Sequence, residues 1–319
     1  MDLSIIIINW NSAGFVRKCL QSVYAGTTHC EFEVIVVDNA SFDDCGESVR
    51  NEFPAVKFIQ SEVNLGFAKA NNLGAREAKG RNLLFLNPDT EVIGDALLTM
   101  VSFLDTRSDA GLVGCKLLNT DLSLQTSCVQ AFPSLLNQAL DTEHLRRVFP
   151  NLRLWGMQAL LSDGKPAEVE VVAGACLMIK SEVFEAIGQF SSNYFMYAED
   201  ADLCFKVEQA GWKNYYLSSA SVVHHGGRSS DKKPESNFAS IMMRESLLEF
   251  MRLRRGSLHA IAYQFITVVI AVLRLLLLMV AFVFTLGGDK RKALRAAFAK
   301  WVKVLRWGLR MEAWSKQAA

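Results

Sequence analysis

The chain has 319 residues, half of them hydrophobic, and its charges nearly cancel to a net +1. This length allows one large α/β domain or two smaller ones. The balanced charge argues against a nucleic-acid partner. The seven cysteines are scattered, odd in number and never spaced as CxxC, so neither a zinc site nor a disulfide framework is predicted, and a reducing compartment is favoured.

Strands and helices alternate in the first part of the chain. The predicted strands are the apolar runs at residues 3–8, 33–37, 56–59 and 82–86. The predicted helices between them are residues 12–24, a helix beginning near Ser41 or Asp43, and one that follows Asn64-Leu65-Gly66 and runs to Lys79. This alternation predicts a mainly parallel sheet with helices on both faces.

The stretch from Leu84 to Asp89 carries a chemical signal. Pro88 cannot continue a strand ladder, so Asp89 is expected at the carboxyl end of the fourth strand. Open α/β sheets bind ligands at that edge. A carboxylate there suits Mg²⁺ or Mn²⁺, although Asn87-Pro88-Asp89 is also an ordinary turn sequence.

Polar residues also follow the first two strands. Asn9 and Asn11 come after the first strand, and Asp38 and Asn39 after the second. If the strands pair side by side, these residues share one edge with Asp89, although each has an ordinary reading as a turn or cap residue. The sequence has no GxGxxG after the first strand and no GxxxxGK[ST], which argues against a Rossmann dinucleotide site and a P-loop.

The middle of the chain is less regular. Residues 96–105 predict a helix and 111–118 a strand, whereas 120–165 have weak periodicity and are interpreted as a variable loop region near an acceptor. Residues 168–179 predict one strand with Gly174 in its middle. A glycine there indicates either the close approach of a ligand or backbone, or a bulge.

Three carboxylates, Glu199, Asp200 and Asp202, fall in the predicted first turn of a helix. The helix dipole favours acids at this end, which is the structural explanation. A carboxylate close to others also tends to have a raised pKa, which suits a general base. The cluster is therefore a candidate for acid–base chemistry.

A short strand is followed by His224, His225, Gly226, Gly227 and Arg228. Adjacent strand residues point to opposite faces, so at most one histidine faces a given site. Small residues followed by an arginine suit a diphosphate. The alternative is that the histidine is a buried, hydrogen-bonded structural ring.

Several of these motifs together resemble family 2 glycosyltransferases of the GT-A fold, most closely the rhamnosyltransferase branch, over residues 3–255. The motifs are Ser4-Ile5-Ile6-Ile7-Ile8-Asn9-Trp10-Asn11, Val36-Val37-Asp38-Asn39-Ala40-Ser41, Asn64-Leu65-Gly66-Phe67-Ala68 with Asn71-Asn72, and Asn87-Pro88-Asp89.

The resemblance implies a site for a nucleotide diphosphate sugar, with dTDP-L-rhamnose as the suggested donor. Asp38 would then bind the base, with Asn9 and Asn11 near the base and ribose, and Asp89 would bind the metal. The family motif is usually Asp-x-Asp, and Asn87 stands in its first place. The metal is therefore expected to be held more weakly, or by Asp89 with another ligand.

The resemblance also assigns roles in the second half of the domain. His224 would bind the metal or the diphosphate, and Asp200 would be the general base. Glu199 would lie near the acceptor or the base, and Asp202 would support the helix. Gly174, as a glycine expected within a strand, is taken as a further residue near the acceptor. The remaining residues assigned to the donor are Asn39, Asn64, Gly66, Asn71, Asn87 and Arg228.

The apolar stretch at residues 260–286 is long enough to span a bilayer and is interrupted by Gln264 and Arg274. Arg274 would lie near the centre, and basic residues flank both ends, whereas the positive-inside rule favours one basic end. A helical hairpin or an in-plane pair of helices, entering and leaving on one side, fits better. A buried oligomerisation helix is the alternative.

The last stretch predicts a basic amphipathic helix, typical of a membrane surface, with a docked surface helix as the alternative. Its predicted basic face is Lys292, Arg295, Lys303, Arg306 and Arg310, and its apolar face is Leu294, Ala297, Phe298, Trp301 and Leu305.

The sequence thus predicts an α/β, GT-A-type, mainly parallel sheet flanked by helices and followed by C-terminal membrane-associated helices. Residues 1–119 are the expected donor half, 120–256 the acceptor and catalytic half, and 257–319 the membrane region. The expected activity is metal-dependent, inverting transfer of a sugar to a lipid-linked or glycan acceptor in cell-envelope polysaccharide assembly, on the cytoplasmic face of the bacterial inner membrane. The homo-oligomeric state is left open.

Two other functions are considered. A nucleotidylyltransferase with a similar sheet would need a glycine-rich loop with Arg or Lys after the first strand, and Asn9-Trp10-Asn11-Ser12 does not provide one. A non-catalytic, membrane-bound nucleotide-sugar-binding module would be indicated by loss of the acids, yet Asp38, Asp89 and Asp200 are all present.

Overall fold

The computed structural model describes residues 1–27, 29–140, 143–161, 164–226, 238–285 and 287–311. The strands are β1 (Leu3–Asn9), β2 (Phe32–Asn39), β3 (Lys57–Ser61), β4 (Asn82–Leu86), β5 (Thr90–Ile93), β6 (Ala110–Leu118), β7 (Val129–Gln130), β8 (Ala167–Val169), β9 (Val171–Val172), β10 (Cys176–Lys180) and β11 (Lys213–His224). The helices are α1 (Ala13–Gly26), α2 (Cys45–Glu52), α3 (Gly66–Ala75), α4 (Ala96–Thr106), α5 (Leu135–Leu140), α6 (Glu143–Val148), α7 (Ser181–Ala186), α8 (Glu199–Gln209), α9 (Phe238–Phe250), α10 (Ser257–Phe284) and α11 (Gly288–Gly308).

The main sheet has the strand order β3-β2-β1-β4-β10-β6-β11-β5, and β8 pairs with β11 off this path. Strands β3, β2, β1 and β4 are parallel, and β6 is parallel to β11. Strand β10 is antiparallel to both of its neighbours, and β5 and β8 are antiparallel to β11. The sheet is therefore mixed, and the predicted α/β class with flanking helices is confirmed.

Strand register brings the polar strand ends to one edge. Every residue of β1 is buried, because this strand lies inside the sheet and has a β-branched apolar sequence. Asn9 at its end lies opposite Asp38 of β2, and Asp38 lies opposite Gln60 of β3. The predicted shared edge of the first two strands is present.

The prediction of one continuous strand at 168–179 is wrong. The segment forms three short strands in different pairings: β8 with β11, β9 with β7 in a separate two-stranded sheet, and β10 inside the main sheet. Gly174 lies in the turn between β9 and β10. The apolar residues do form strands, but the strand with which they pair changes along the segment, so that the extended run is broken into three.

Two further differences have local causes. Helix α3 ends at Ala75 and not at Lys79, because the backbone amides of Lys79 and Gly80 donate to the Ser4 hydroxyl at 3.1 and 2.8 Å and the chain turns towards β4. Strand β5 was not predicted, because it has only four residues and begins directly after Asp89, where the sequence indicates a turn.

The described chain forms two compact units. The first comprises Met1–Phe132, Val148–Phe195 and Glu199–Lys232, and includes the sheet; the second comprises Pro133–Arg147, Met196–Ala198 and Lys233–Ala319. The predicted functional boundaries at 119 and 256 stay predictions.

Helices α10 and α11 of the second unit form an antiparallel hairpin. The Gln264 side-chain amide donates to the Gly308 carbonyl at 2.7 Å, and the rings of Tyr263 and Trp307 lie 6.4 Å apart. By length and composition, α10 could cross a membrane, and it is the one helix in the described ranges that meets this test. The apolar stretch is therefore one continuous helix and not the hairpin or pair of helices expected within residues 260–286, because its turn comes only after Phe284. Its relation to a membrane stays a prediction.

Candidate active site

The ends of β1 and β2 are joined by a buried polar network. The Asn9 side-chain amide donates to the Asp38 carboxylate at 2.7 Å and to the Ser41 hydroxyl at 3.0 Å, and Asn9 is fully buried. Asp38 also accepts from the Ser41 backbone amide at 2.9 Å and from the Gln60 side chain at 2.8 Å. Asp38 is therefore fixed in position by several hydrogen bonds, and its role toward a base stays a prediction.

The loops after β1 and β2 each contain a residue in the left-handed conformation and are joined by hydrogen bonds. Asn11 has φ +53° and Ala40 has φ +60°, a region that non-glycine residues seldom occupy. The Asn11 side chain accepts from the Phe42 backbone amide at 2.9 Å, and the Asn11 amide donates to the Ser41 hydroxyl at 3.0 Å. Such backbone strain commonly occurs at ligand sites, and the role of Asn11 near the base and ribose stays a prediction.

Asn39 and Asn64 organise the turn into α3. The Asn39 side chain donates to Asn64 at 2.9 Å and accepts from the Leu65 backbone amide at 2.8 Å. Gly66 has φ +76°, and a Cβ atom there would lie 2.4 Å from the Phe195 carbonyl oxygen. A glycine is therefore required by the close approach of the chain, and a donor role for these residues stays a prediction.

Asn71 and Asn72 have side chains that bond to the protein itself. Asn71, almost fully buried, donates to the Phe67 carbonyl one turn earlier at 3.0 Å. Asn72 exchanges hydrogen bonds with the backbone of Phe190 at 2.8 and 3.0 Å. The structure brings Asn39, Asn64 and Gly66 together at one turn, whereas Asn71 faces its own helix.

Asp38, Asp43 and Cys45 have ligand atoms within 4.8 Å of one another, the composition of a cation site. Burial, together with the negative charges of Asp43 and Asp38, raises the pKa of the Cys45 thiol to about 12, so the thiolate needed by a metal is disfavoured. Asp43 is engaged as a helix cap, since it accepts from the Ala13 amide at 2.8 Å. This group organises the loops.

Asp89 is the least satisfied acid at the sheet edge. It is 2 % exposed, and its Oδ2 atom has no hydrogen-bond partner within the described chain. Its Oδ1 atom lies 3.5 Å from Nε2 of His224, which ends β11. Asn87 also directs its side-chain nitrogen to this Nε2 atom, at 3.5 Å. A buried, unbonded carboxylate oxygen is costly unless a ligand completes its coordination.

Gln125 fixes the tautomer of His224. Its Nε2 atom donates to the His224 carbonyl at 2.5 Å, which orients its Oε1 atom towards Nδ1 of the ring at 3.0 Å. Since Oε1 only accepts, Nδ1 carries the proton in the neutral ring, and the lone pair of Nε2 faces Asp89 and Asn87. Such an outer hydrogen bond is the usual support of a metal-binding histidine.

The predicted opposite orientation of the two histidines is observed. His225 bonds through Nε2 to Glu91 at 2.8 Å and through Nδ1 to Thr120 at 3.0 Å, whereas His224 faces Asp89. The donor set of a carboxylate and an imidazole fits a divalent cation and favours Mn²⁺ over Mg²⁺, which prefers oxygen ligands, with the unbonded Oδ2 as the observation in favour of a cation.

Asp200 and Gly174 lie in direct contact. The Gly174 backbone amide donates to Asp200 Oδ2 at 2.9 Å, and the Ala201 amide donates to Oδ1 at 2.7 Å. A Cβ atom on Gly174 would lie 3.3 Å from that of Asp200. Burial raises the pKa of Asp200, and the Gly174 and Ala201 amides act against that rise. The close approach expected at Gly174 is therefore that of a side chain.

The pKa of Glu199 is shifted further than that of the adjacent Asp200. It is 7 % exposed, and its Oε2 atom has no partner in the described part of the chain. Burial and then the charge of Asp200 raise the pKa of Glu199 to about 8. At neutral pH this side chain is therefore mostly protonated and carries a hydrogen-bond donor.

Asp202 and the residues before α8 hold this acid pair. Asp202 is fully buried and accepts from the hydroxyls of Ser191 at 2.6 Å and Tyr194 at 3.0 Å, as a supporting residue would. Tyr197 and Ala198, immediately before Glu199, both have positive φ, +72° and +59°. Left-handed conformations are uncommon for residues other than glycine and often occur at functional sites.

The sequence pattern of the family described as glycosyl transferase family 2 matches residues 4–188, more than half of the chain. The chain belongs to this family. Among its relatives is the N-acetylglucosaminyl-diphospho-decaprenol L-rhamnosyltransferase of Mycobacterium tuberculosis (strain ATCC 25618 / H37Rv), 26% identical over 251 residues, 75% of this chain and 80% of that protein. Another is rhamnosyltransferase WbbL of Escherichia coli (strain K12), 25% identical over 228 residues, 69% of this chain and 82% of that protein.

Two solved structures resemble this glycosyltransferase in fold. The mannosyltransferase PcManGT from Pyrobaculum calidifontis, in complex with GDP-Man and Mn²⁺, has a TM-score of 0.59 at 17% identity and covers 97% of this chain and 86% of that one. GalNAc-T7 with UDP, GalNAc and Mn²⁺ has a TM-score of 0.56 at 17% identity over 70% and 44% of the chains. At this identity the likeness concerns the fold alone, and the predicted GT-A-type fold is confirmed.

Sequence reasoning missed three residues of the glycosyltransferase site: Gln60, which bonds Asp38; Asp43, which caps α1; and Gln125, which orients His224. Asp43 had a signal, because it stands near the predicted start of α2, where it accepts from the Cys45 amide at 3.4 Å; the contact with α1 was the one missed. No local pattern distinguishes Gln60 and Gln125 from other glutamines, so their contacts could not be predicted from the sequence. Arg228 lies outside the described residues, so its assignment stays a prediction.

Proposed function

We propose that this family 2 glycosyltransferase transfers L-rhamnose from dTDP-L-rhamnose to a lipid-linked saccharide, with inversion at the anomeric carbon and with Mg²⁺ or Mn²⁺. The reaction would take place on the cytoplasmic face of the bacterial inner membrane, in cell-envelope polysaccharide assembly. The observation that carries the proposal is the unbonded Asp89 oxygen beside His224, at the sheet edge that also holds Asp38.

The donor assignment is supported by the relatives and by the edge chemistry. The M. tuberculosis and E. coli relatives align with this chain over 80% and 82% of their own lengths, and both are named as rhamnosyltransferases. Asp38, held by Asn9 and Gln60, would accept a hydrogen bond from the base. Asn11 and Asn39 would lie beside the base and ribose. Asn87, Gly66 and Arg228 would complete the diphosphate side.

Asp89 and His224 would hold the divalent cation, which when bound neutralises the negative charge that develops on the departing diphosphate. Gln125 keeps the lone pair of His224 on the side of Asp89. The two side chains leave several coordination positions for diphosphate oxygens and water, as Mg²⁺ and Mn²⁺ sites commonly do.

Asp200 would serve as the general base. The acceptor hydroxyl oxygen forms a bond to the anomeric carbon while the bond from that carbon to the diphosphate breaks on the opposite side, and Asp200 takes the hydroxyl proton. Two backbone amides hold the Asp200 carboxylate in place. Glu199, protonated near neutral pH, would donate a hydrogen bond to the acceptor, so that the two acids have separate roles.

A lipid-linked acceptor is supported by the C-terminal hairpin. Helix α10 has the length and apolar composition of a membrane segment, and α11 carries the predicted basic face. The M. tuberculosis relative is named for a polyprenyl diphosphate acceptor. Protease treatment of inside-out and right-side-out vesicles would test one-sided insertion, since cleavage of the C-terminus from the outer side would show a true span.

Metal-dependent donor binding is the main test. The full-length chain in detergent is titrated with dTDP-L-rhamnose, UDP-N-acetylglucosamine and GDP-mannose, each with Mn²⁺ and with a chelator. We expect dTDP-L-rhamnose to bind most tightly and only with the metal. The Asp89→Asn variant should lose the metal-dependent part of this affinity.

Asp95→Asn is the matched control, because Asp95 is an exposed carboxylate whose side chain makes no capping bond. It should bind the donor as the unmodified chain does. A donor affinity that is unchanged by the chelator and by Asp89→Asn would refute the metal site. Donor binding without turnover on any lipid-linked acceptor would favour the binding-module alternative, and turnover of a nucleoside triphosphate with a sugar phosphate would favour a nucleotidylyltransferase.

A further inference from the structure

Thr90, the first residue of β5, lies between the two halves of the proposed metal site. It directly follows Asp89 in the chain, and in the antiparallel pairing of β5 with β11 it lies opposite His224. Thr90 is almost fully buried. A buried hydroxyl needs a hydrogen-bond partner, so the contacts of this group show what the side chain does.

The Thr90 hydroxyl closes the turn that carries Asp89. It donates to the Asn87 carbonyl at 2.7 Å, across the two intervening residues. The Cys19 thiol of α1, fully buried, lies 3.5 Å from the hydroxyl oxygen and 3.8 Å from the Asn87 carbonyl oxygen. Because the single hydroxyl hydrogen of Thr90 is directed to Asn87, the thiol is the donor between Cys19 and Thr90. Helix α1 therefore supports the turn through a weak donor.

The backbone of the turn is also held by other parts of the sheet. The Asn87 amide donates to the Ala175 carbonyl at 2.9 Å, and the His225 amide donates to the Asp89 carbonyl at 2.9 Å. By contrast, the Oδ2 atom of Asp89 has no hydrogen-bond partner within the described chain, and Oδ1 lies 3.5 Å from Nε2 of His224. The turn is thus fixed while its carboxylate is left for a ligand.

A cation shared by Asp89 and His224 requires their ligand atoms at a defined separation, because metal sites tolerate displacements of only about 0.5 Å. The two residues belong to segments far apart in sequence, and Thr90 connects them. Its backbone lies in the ladder opposite His224, and its hydroxyl holds the start of the turn that carries Asp89. Gln125 orients the ring on the other half of the site.

We propose that Thr90 is a positioning residue of the metal site, whose hydroxyl holds the Asp89 carboxylate in line with Nε2 of His224. Cys19 is a second, weaker support that acts through the same hydroxyl. The inference rests on the proposed function and adds to it a residue that does not itself contact the cation. The alternative is that the hydroxyl stabilises the fold alone, as any buried, hydrogen-bonded threonine does.

The test compares variants of the full-length chain in detergent. Thr90→Val removes the hydroxyl at similar side-chain volume, and Thr90→Ser keeps the hydroxyl. Thr267→Val is the matched control, because Thr267 is a buried threonine of α10 whose hydroxyl also donates to a backbone carbonyl, that of Tyr263, at 2.8 Å. Each chain is titrated with Mn²⁺, and the electron paramagnetic resonance signal of the free ion gives the affinity. Urea denaturation without metal gives the stability that each substitution removes.

We expect Thr90→Val to weaken Mn²⁺ binding about tenfold, as loss of an outer support commonly does at a metal site. Thr90→Ser should retain most of the affinity, and Thr267→Val all of it. Cys19→Ala should weaken Mn²⁺ binding less than Thr90→Val does, because a thiol is a weak donor.

The spin echo of bound Mn²⁺ gives a second readout, since a coordinated imidazole nitrogen modulates the echo. This modulation should be present in the unmodified chain and absent from His224→Ala. It should be reduced in Thr90→Val and unchanged in Thr267→Val. A hydroxyl that only stabilised the fold would not alter the ligands of the ion.

An unchanged affinity and echo in Thr90→Val would overturn the positioning role. Equal losses of Mn²⁺ affinity in Thr90→Val and Thr267→Val would overturn it as well, because they would reflect general destabilisation. A Thr90→Ser chain as weak as Thr90→Val would show that the hydroxyl is not the group that matters. Should Thr90→Val not fold, Thr90→Ala also removes the hydroxyl and carries the same prediction. An unmodified chain without Mn²⁺ binding or without the modulation would instead refute the proposed metal site, so the two failures are distinguishable.

Discussion

Replacing Glu199 by Gln should change how the stability of the protein depends on pH. Glu199 is buried, its Oε2 atom is unbonded, and its pKa is raised to about 8 by burial and by Asp200. Glutamine keeps the size and the hydrogen-bonding capacity of protonated glutamate but cannot ionise. The substitution therefore removes the titration with little change in shape.

The sign follows from proton binding. Between pH 4.5 and about 8 the folded chain keeps the Glu199 proton, whereas the unfolded chain has lost it. The folded state then binds more protons, so the free energy of unfolding falls as pH rises through this interval. The loss is at most about 1.4 kcal/mol per pH unit, or on the order of 5 kcal/mol across the interval. This stability is present below pH 4.5 and is gone above about 8.

Urea denaturation of the full-length chain in detergent, followed by tryptophan fluorescence across this pH interval, measures the effect. We expect Glu199→Gln to gain stability relative to the unmodified chain as pH rises. Glu182→Gln removes an exposed carboxylate from the first turn of α7 and should leave the slope unchanged. Parallel pH profiles for Glu199→Gln and the unmodified chain would refute the reasoning, because they would show that Glu199 ionises alike in both states.

The remaining predictions concern the reaction. Asp200→Asn should lower turnover by roughly 10²–10⁴-fold without changing donor affinity, and near-normal turnover would move the base to Glu199 or Asp202. Gly174→Ala places a Cβ atom 3.3 Å from that of Asp200, so turnover should fall while donor binding, measured by titration, persists. Gln125→Leu removes the hydrogen bond that sets the His224 tautomer, and Mn²⁺ affinity should fall about 10–100-fold, with Gln130→Leu as the unaffected control. His224→Ala should weaken Mn²⁺ binding, and a His224→Ala chain with unchanged affinity would contradict its role as a ligand.

The sheet edge could be predicted from sequence where its signals are local. The runs that became β1, β2 and β4 are short, apolar and ended by polar residues, and β4 has the predicted bounds. Parallel pairing then brings Asn9 and Asp38 together without further information. The same local logic failed at 168–179, because an apolar run does not specify which partner each part will have.

The parts of the site that depend on distant contacts could not be predicted from local patterns. Gln125 lies in a weakly patterned segment and contacts a ring 99 residues away. The separate states of Glu199 and Asp200 depend on which oxygens meet backbone amides, and adjacent acids in a sequence do not show that. The local sequence around His224 was equally compatible with a buried structural histidine. The family resemblance was what assigned His224 to the site.

The two halves of the proposed metal site are far apart in the order of synthesis. Asn87 and His224 are separated by 137 residues, and β5, which follows Asp89, reaches the sheet only through β11. At about 5–20 residues per second, a ribosome needs on the order of ten seconds to make the intervening chain. A nascent chain therefore contains Asp89 for seconds before its histidine is made, and the proposed cation site is incomplete until β11 has paired with β6 and brought β5 into the sheet.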